Sequence, residues 1–172
     1  VATDRVLTNN HVLDIRPFDR EMPLFPYRFE GGGQVGQVIG VAGSAREDLA
    51  WAEPKPFLNF FYPVAAAAPM PGEMLYWVGY DRDGNKDALR RKLFKGKVIR
   101  TIAGQIVIDE GTPGGSSGSC VLNGSGQVVG IVAWGLLMDN QKEITVAVGV
   151  YGDWMPAIFA DRTKPEQVGS GH

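Results

Sequence analysis

The sequence predicts an all-β fold, a sandwich or a barrel built from two groups of short strands. Three observations carry this. Short apolar runs recur along the 172 residues with turn residues between them. Glycine reaches 23 and proline 11, a composition that favours turns over long helices. One proline- and alanine-rich stretch, Pro63 to Gly72, then splits the runs into two groups.

The elements follow in order. The first group contains strand-like runs over 5–9, 34–41 and 49–53. The stretch 63–72 reads as a linker. The second group contains runs over 74–80, 96–102, 105–109, 119–122, 128–133 and 144–150. Asp83-Gly84-Asn85 and Asn123-Gly124-Ser125-Gly126 carry turn chemistry between them. A single helix is expected over 153–162, with Trp154, Ile158 and Phe159 on one face. The chain therefore divides into a first half at 1–62, the linker, a second half at 73–168, and a tail at 169–172 that resembles a tag remnant. Only ten residues precede His11, so the first strand group is expected to lack an upstream strand, and Val1 is not an initiator methionine.

Composition excludes several classes of function. A formal net charge of −2 gives no global field for nucleic acid or an anionic membrane. Cys120 is the single cysteine, which rules out an intramolecular disulfide. Apart from the tail residue His172, His11 is the only histidine, so no zinc ligand set is expected, nor any other metal or cofactor. The longest apolar stretch, 57–70, is too short and too broken by Asn59 and Pro63 to span a bilayer.

Two pieces carry candidate chemistry. Gly114-Gly115-Ser116-Ser117-Gly118-Ser119-Cys120 sets serines among glycines, where a tight turn can lift a hydroxyl toward a substrate. Thr8-Asn9-Asn10-His11 follows the apolar Val6-Leu7. A serine hydroxyl is inert at neutral pH unless a base takes its proton during attack, and His11 is the one imidazole suited to that task. The imidazolium so formed needs a carboxylate. Asp48, opening the apolar run Leu49-Ala50-Trp51-Ala52, has the best setting, with Glu47, Glu53, Asp14 and Asp19 as competitors.

The order His, Asp, Ser, with Thr8-Asn9-Asn10-His11-Val12, Asp48-Leu49-Ala50, Pro113 to Ser119 and Gly130-Ile131-Val132-Ala133-Trp134-Gly135, resembles the chymotrypsin-like serine proteases. The similarity is to their disulfide-free bacterial and viral branch. It implies two antiparallel barrels of the six-stranded type, the first incomplete at its N-terminus, with the site in the cleft between them. It implies a serine endopeptidase acting on an extended polypeptide through an acyl-enzyme. Ser117 matches the nucleophile, His11 the general base and Asp48 its orienting carboxylate. The N–H groups of Gly115 and Ser117 match an oxyanion hole. Ala133, Trp134 and Gly135 match the strand edge that pairs with substrate, and Gly111, Thr112 and 147–149 the specificity pocket. Two departures stand out: Ser116 replaces the aspartate of pancreatic-type enzymes, and Cys120 stands where proline is common. With Gly111 at the matched pocket base, an uncharged side chain is expected before the scissile bond.

Competing readings share these residues. Gly114 to Gly118 also fits the G-x-S-x-G elbow with Ser116 as nucleophile, but no internal histidine follows it. Cys120 is an alternative nucleophile three residues further on. Arg90, Arg91, Lys92, Lys95, Lys97 and Arg100 form a basic run, better read as a solvated hairpin face than as a nucleic-acid contact. A catalytically inactive protease fold, kept as a peptide-binding or scaffolding module, is the alternative function.

Overall fold

A computed structural model of the chain describes residues 6–13, 28–31, 34–44, 48–55, 61–82 and 89–152. The elements are β1 (Val6–Thr8), α1 (Asn10–Leu13), β2 (Arg28–Gly31), β3 (Gln34–Ser44), β4 (Leu49–Lys55), β5 (Met74–Arg82), β6 (Leu89–Ile102), β7 (Gln105–Ile108), β8 (Cys120–Leu122), β9 (Val128–Leu137) and β10 (Glu143–Gly149). The fold is all-β, and α1, at four residues, is the one helix among the described residues.

The second half closes into a six-stranded barrel in the order β10-β7-β6-β5-β8-β9, all pairs antiparallel. Closure pairs neighbouring strands all round the barrel, but beyond Val132 only β10 pairs with β9, so the other side of Trp134 and Gly135 has no strand partner among the described residues. Alternation builds the core. On β6, Phe94 and Val98 point inward, while Arg91, Lys95 and Lys97 face outward and Lys92, exposed, reaches over the Phe94 ring. The basic run is thus the outer face of a barrel strand. Trp77, Leu75, Ile106, Ile108, Val121, Val129, Val132 and Ala147 fill the interior. Trp77 stacks on Phe94 with ring centroids 5.8 Å apart.

The first half is described in part. Its described strands form a four-stranded sheet in the order β1-β4-β3-β2. The strand β2 was absent from the expected set, and the helix expected over 153–162 lies outside the described residues, as does the turn Asp83-Gly84-Asn85.

A second apolar cluster joins the halves. Leu49 of β4, fully buried, packs with Val128, Ile131, Ala133, Val148 and Val150 of the barrel, with Leu7 and Trp51 at its margin. The segment expected as a linker is tied to the barrel as well. Val64 bridges Val128 in parallel, Ala65 N–H donates to the Val128 carbonyl at 2.9 Å, and Gly152 N–H donates to the Ala65 carbonyl at 3.0 Å. Burial of apolar surface across this seam fixes how β1 and β4 lie against β9.

Candidate active site

β1 ends at Thr8 and the chain turns into α1. Asn9, at the turn, is fully buried and acts as a clamp. Its Nδ2 donates to the Asp48 carbonyl at 3.1 Å, and its Oδ1 accepts from Gly118 N–H at 2.7 Å. One amide side chain therefore ties together the start of β4 and the serine-rich loop. A buried amide bonded at both ends orders its surroundings, because leaving either end unpaired would be costly.

His11 follows on α1. Its Nδ1 lies 2.8 Å from Asp48 Oδ2 and 3.0 Å from Oδ1, and its backbone N–H donates to Oδ1 at 3.0 Å. A carboxylate only accepts, so Nδ1 of a neutral imidazole paired with it carries the proton and Nε2 keeps a free lone pair. Asp48 itself has φ 51°, a left-handed conformation that aspartate tolerates better than most residues. That turn aims the carboxylate back across the sheet at α1. The imidazole side is open, at 45% exposure, whereas the Asp48 side chain is only 13% exposed.

The serine-rich loop runs from Gly111 into β8. Successive turns shape it: Ser116 N–H bonds the Pro113 carbonyl at 3.3 Å and Ser119 N–H the Ser116 carbonyl at 3.1 Å. Gly115 (φ 98°) and Gly118 (φ 87°) occupy the left-handed region that glycine alone adopts cheaply. Gly118 is needed twice over, since an added Cβ would strike Thr8 Oγ1 at 2.6 Å. Its N–H is shared between Asn9 Oδ1 and the Val132 carbonyl, which holds the loop to both α1 and β9. Among the described residues, the N–H groups of Gly115 and Ser117 have no internal partner.

Ser117 and Ser116 have opposite fates. Ser117 is half-exposed, and its Oγ donates to the Ala133 carbonyl at 3.0 Å rather than to His11. Ser116 is fully buried and its Oγ lacks a partner among the described residues. It sits over Gly79 of β5, where an added Cβ would come within 3.0 Å of the Ser116 Cβ. The elbow reading, with Ser116 as nucleophile, fails on this burial.

Other expected residues fall as follows. Thr112 accepts from Trp77 Nε1–H at 3.2 Å, and its carbonyl lies so close to Gly135 that a Cβ there would meet it at 2.7 Å. Ala133 is buried where β9 meets the loop, Trp134 is 39% exposed, and Gly135 is exposed beyond it. The segment 147–149, expected at the specificity pocket, is buried. Ala147 is wholly buried in the barrel core and Gly149 packs on Tyr151. A register shift falls between Val146 and Ala147, so Glu143 to Val146 at the hairpin end keep one register with β9 and 147–149 another. Cys120, half-buried on β8, has its thiol pKa pushed up by burial, which disfavours the thiolate a cysteine nucleophile requires. Of the competing carboxylates, Asp14, Asp19 and Glu47 lie outside the described residues. Sequence reasoning missed Asn9 and Glu143. Asn9 had a signal in its place between a strand end and His11; Glu143 had none, since only the β9–β10 register brings it to Gly111.

The chain belongs to the trypsin-like peptidase domain family, whose profile matches residues 1–131. That membership implies a polypeptide substrate and supports a serine-protease, hydrolytic function. Solved structures share the fold at low identity. A Glu endopeptidase matches with TM-score 0.70 and 16% identity, covering 93% of this chain and 80% of its own. The active form of the Rv3671c protease from M. tuberculosis matches with TM-score 0.72 and 17% identity, covering 99% and 74%. A serine endoprotease from Yersinia pestis matches with TM-score 0.62 and 18% identity, covering 86% and 50%. No curated protein matches the sequence significantly. No helix among the described residues is long and apolar enough to cross a membrane.

Proposed function

We propose that the chain is a serine endopeptidase with His11, Asp48 and Ser117 as its triad. The observation that carries this is the Asn9 clamp, which bonds Asp48 at one end and the residue after Ser117 at the other. Through it, the His11–Asp48 pair of the first half and the nucleophile of the second belong to one connected site. We infer further that the four-stranded sheet is part of a second barrel, so that the site lies in the cleft between two barrels.

The chemistry follows from the groups. Rotation about the Ser117 Cα–Cβ bond releases Oγ from the Ala133 carbonyl and turns it toward His11. Oγ attacks the substrate carbonyl carbon while its proton passes to His11 Nε2. Asp48 holds Nδ1–H and stabilises the imidazolium. The oxyanion accepts hydrogen bonds from the N–H groups of Gly115 and Ser117. The C–N bond then breaks as His11 returns the proton to the leaving amine. Water, deprotonated by His11, attacks the acyl-enzyme, releasing the new carboxyl end and restoring Ser117. The substrate backbone pairs with β9 at Ala133–Gly135 as an added strand. Gly111 and Thr112 wall the pocket for the side chain before the scissile bond. No metal or cofactor enters any step.

The test is hydrolysis of a proteome-derived peptide mixture read by mass spectrometry. Wild type should generate new termini and Ser117→Ala none. Turnover by Ser117→Ala equal to wild type would remove the proposal, and cleavage by neither would favour the inactive peptide-binding module.

A further inference from the structure

The cavity beside the nucleophile loop is charged, although the residue at its expected base is glycine. It measures about 500 Å³ and lies between the 111–114 segment and the exposed end of β9. Glu143, the first residue of β10, pairs with Leu137 at the end of the β9–β10 hairpin. Its side chain folds back against Gly111. A Cβ at Gly111 would collide with the Glu143 carboxylate oxygen and would lie 2.6 Å from the Glu143 Cβ. Gly111 therefore makes the space that the carboxylate fills. The acid is delivered from another strand, not from the position where sequence matching looks for it.

The charge balance is negative. Glu110 and Glu143 both line the cavity, and Lys92 is the single basic lining residue. The Lys92 ammonium lies over the Phe94 ring, 5.2 Å from its centroid. Glu143 has no cationic partner among the described residues. Glu143 is exposed, so its carboxylate stands at the open mouth of the cavity, close to where the substrate backbone would run, and there favours a cationic guest with donors that can reach it.

We propose that Glu143 is a specificity-determining residue that selects substrates with lysine or arginine before the scissile bond. This rests on the protease reading above, and it replaces the uncharged preference expected from Gly111. The guest ammonium or guanidinium hydrogen-bonds the Glu143 carboxylate, with Thr112 and Gly135 forming the walls. Glu110, exposed at the rim, adds to the negative potential.

Two measurements keep this separate from the catalytic claim. The first compares kcat/KM on fluorogenic peptides that differ only before the scissile bond: Arg, Lys, Gln, Met and Glu. Wild type should favour Arg or Lys over Gln by about tenfold or more, the scale of one charge-assisted hydrogen bond. Glu143→Gln should erase that ratio, lowering kcat/KM for the Arg and Lys peptides far more than for the Gln and Met peptides, and Glu143→Lys should invert it toward Glu. The second uses p-aminobenzamidine fluorescence with Ser117→Ala, which needs no catalysis. The amidinium should bind, and the added Glu143→Gln change should weaken it about tenfold. Cleavage without a basic preference, or a preference unmoved by Glu143→Gln, overturns the proposal and leaves the protease reading standing. A preference for Glu overturns it in favour of Lys92. Amidinium binding that depends on Glu143, in a protein that cleaves nothing, supports the pocket and removes the protease reading.

Discussion

Single side chains set the terms of this site, and Asn9 has the largest share. Its amide bonds two different chain segments from a fully buried position. Asn9→Ala strands the Asp48 carbonyl and shares Gly118 N–H with one acceptor fewer, so it should cost ~1–3 kcal/mol in a denaturant melt. Its effect on kcat should exceed its effect on KM, because the reacting groups, not the substrate edge, lose their alignment. Ser116 behaves in the opposite way. Its buried hydroxyl has no partner among the described residues, so Ser116→Ala should leave the protein equally or more stable, by up to about 1 kcal/mol, and should keep activity. The buried serine also limits Gly79. Gly79→Ala should destabilise by ~1–3 kcal/mol through overpacking, and much of that loss should return in the Gly79→Ala, Ser116→Gly double variant. Equal losses in the single and double variants would show that the two residues do not press on one another.

Among the elements, β8 and β9 carry the site. β9 is buried over its first six residues and exposed over its last four, as it leaves the core and emerges beside the nucleophile loop. This change along one strand makes a rigid edge of Ala133, Trp134 and Gly135. β8 begins at Cys120, and burial holds its thiol neutral. Tyr151, after β10, has its phenol pushed up by the same cause. The folded forms of both retain protons that the unfolded chain gives up as pH rises past their ordinary values of 9.0 and 10.0. Stability should therefore fall with increasing pH through that alkaline window, which a series of thermal melts would register. Alkylation of Cys120 by iodoacetamide should be slow at neutral pH, and Cys120→Ala should retain activity.

The legibility of these elements followed their local signals. Strands with apolar alternation and flanking turns, such as β4, β5 and β9, were readable from the sequence. β6 was expected to begin at Gly96, yet it begins at Leu89, because the basic residues that form its outer face hide the period of its inner one. β2 has only four residues, paired with the start of β3, too short a run for its apolar alternation to stand out. α1 has one turn, below any helical period. Glu143 meets Gly111 through packing of the β9–β10 hairpin end on the 111–114 segment, a tertiary contact that no local sequence signal announces.

Across the whole molecule, a shared core joins two sequence halves, and the proposed base belongs to one and the proposed nucleophile to the other. Leu49 lies immediately after Asp48 and is buried against Ile131, Ala133 and Val148. Leu49→Ala should cost ~2–5 kcal/mol and lower activity more than an equally destabilising change inside the barrel alone. The order of His, Asp and Ser in the chain was readable, whereas the clamp that unites them depends on packing 109 residues apart.

The most direct measurement is the rate and position of labelling by a fluorophosphonate probe, mapped by mass spectrometry. A single adduct on Ser117 is expected, absent in Ser117→Ala, kept in Ser116→Ala, and slowed by roughly 10³-fold or more in His11→Ala. An adduct on Ser116 or Ser119, or labelling of Ser117 as fast without the His11 imidazole as with it, would contradict a site in which that imidazole deprotonates that alcohol.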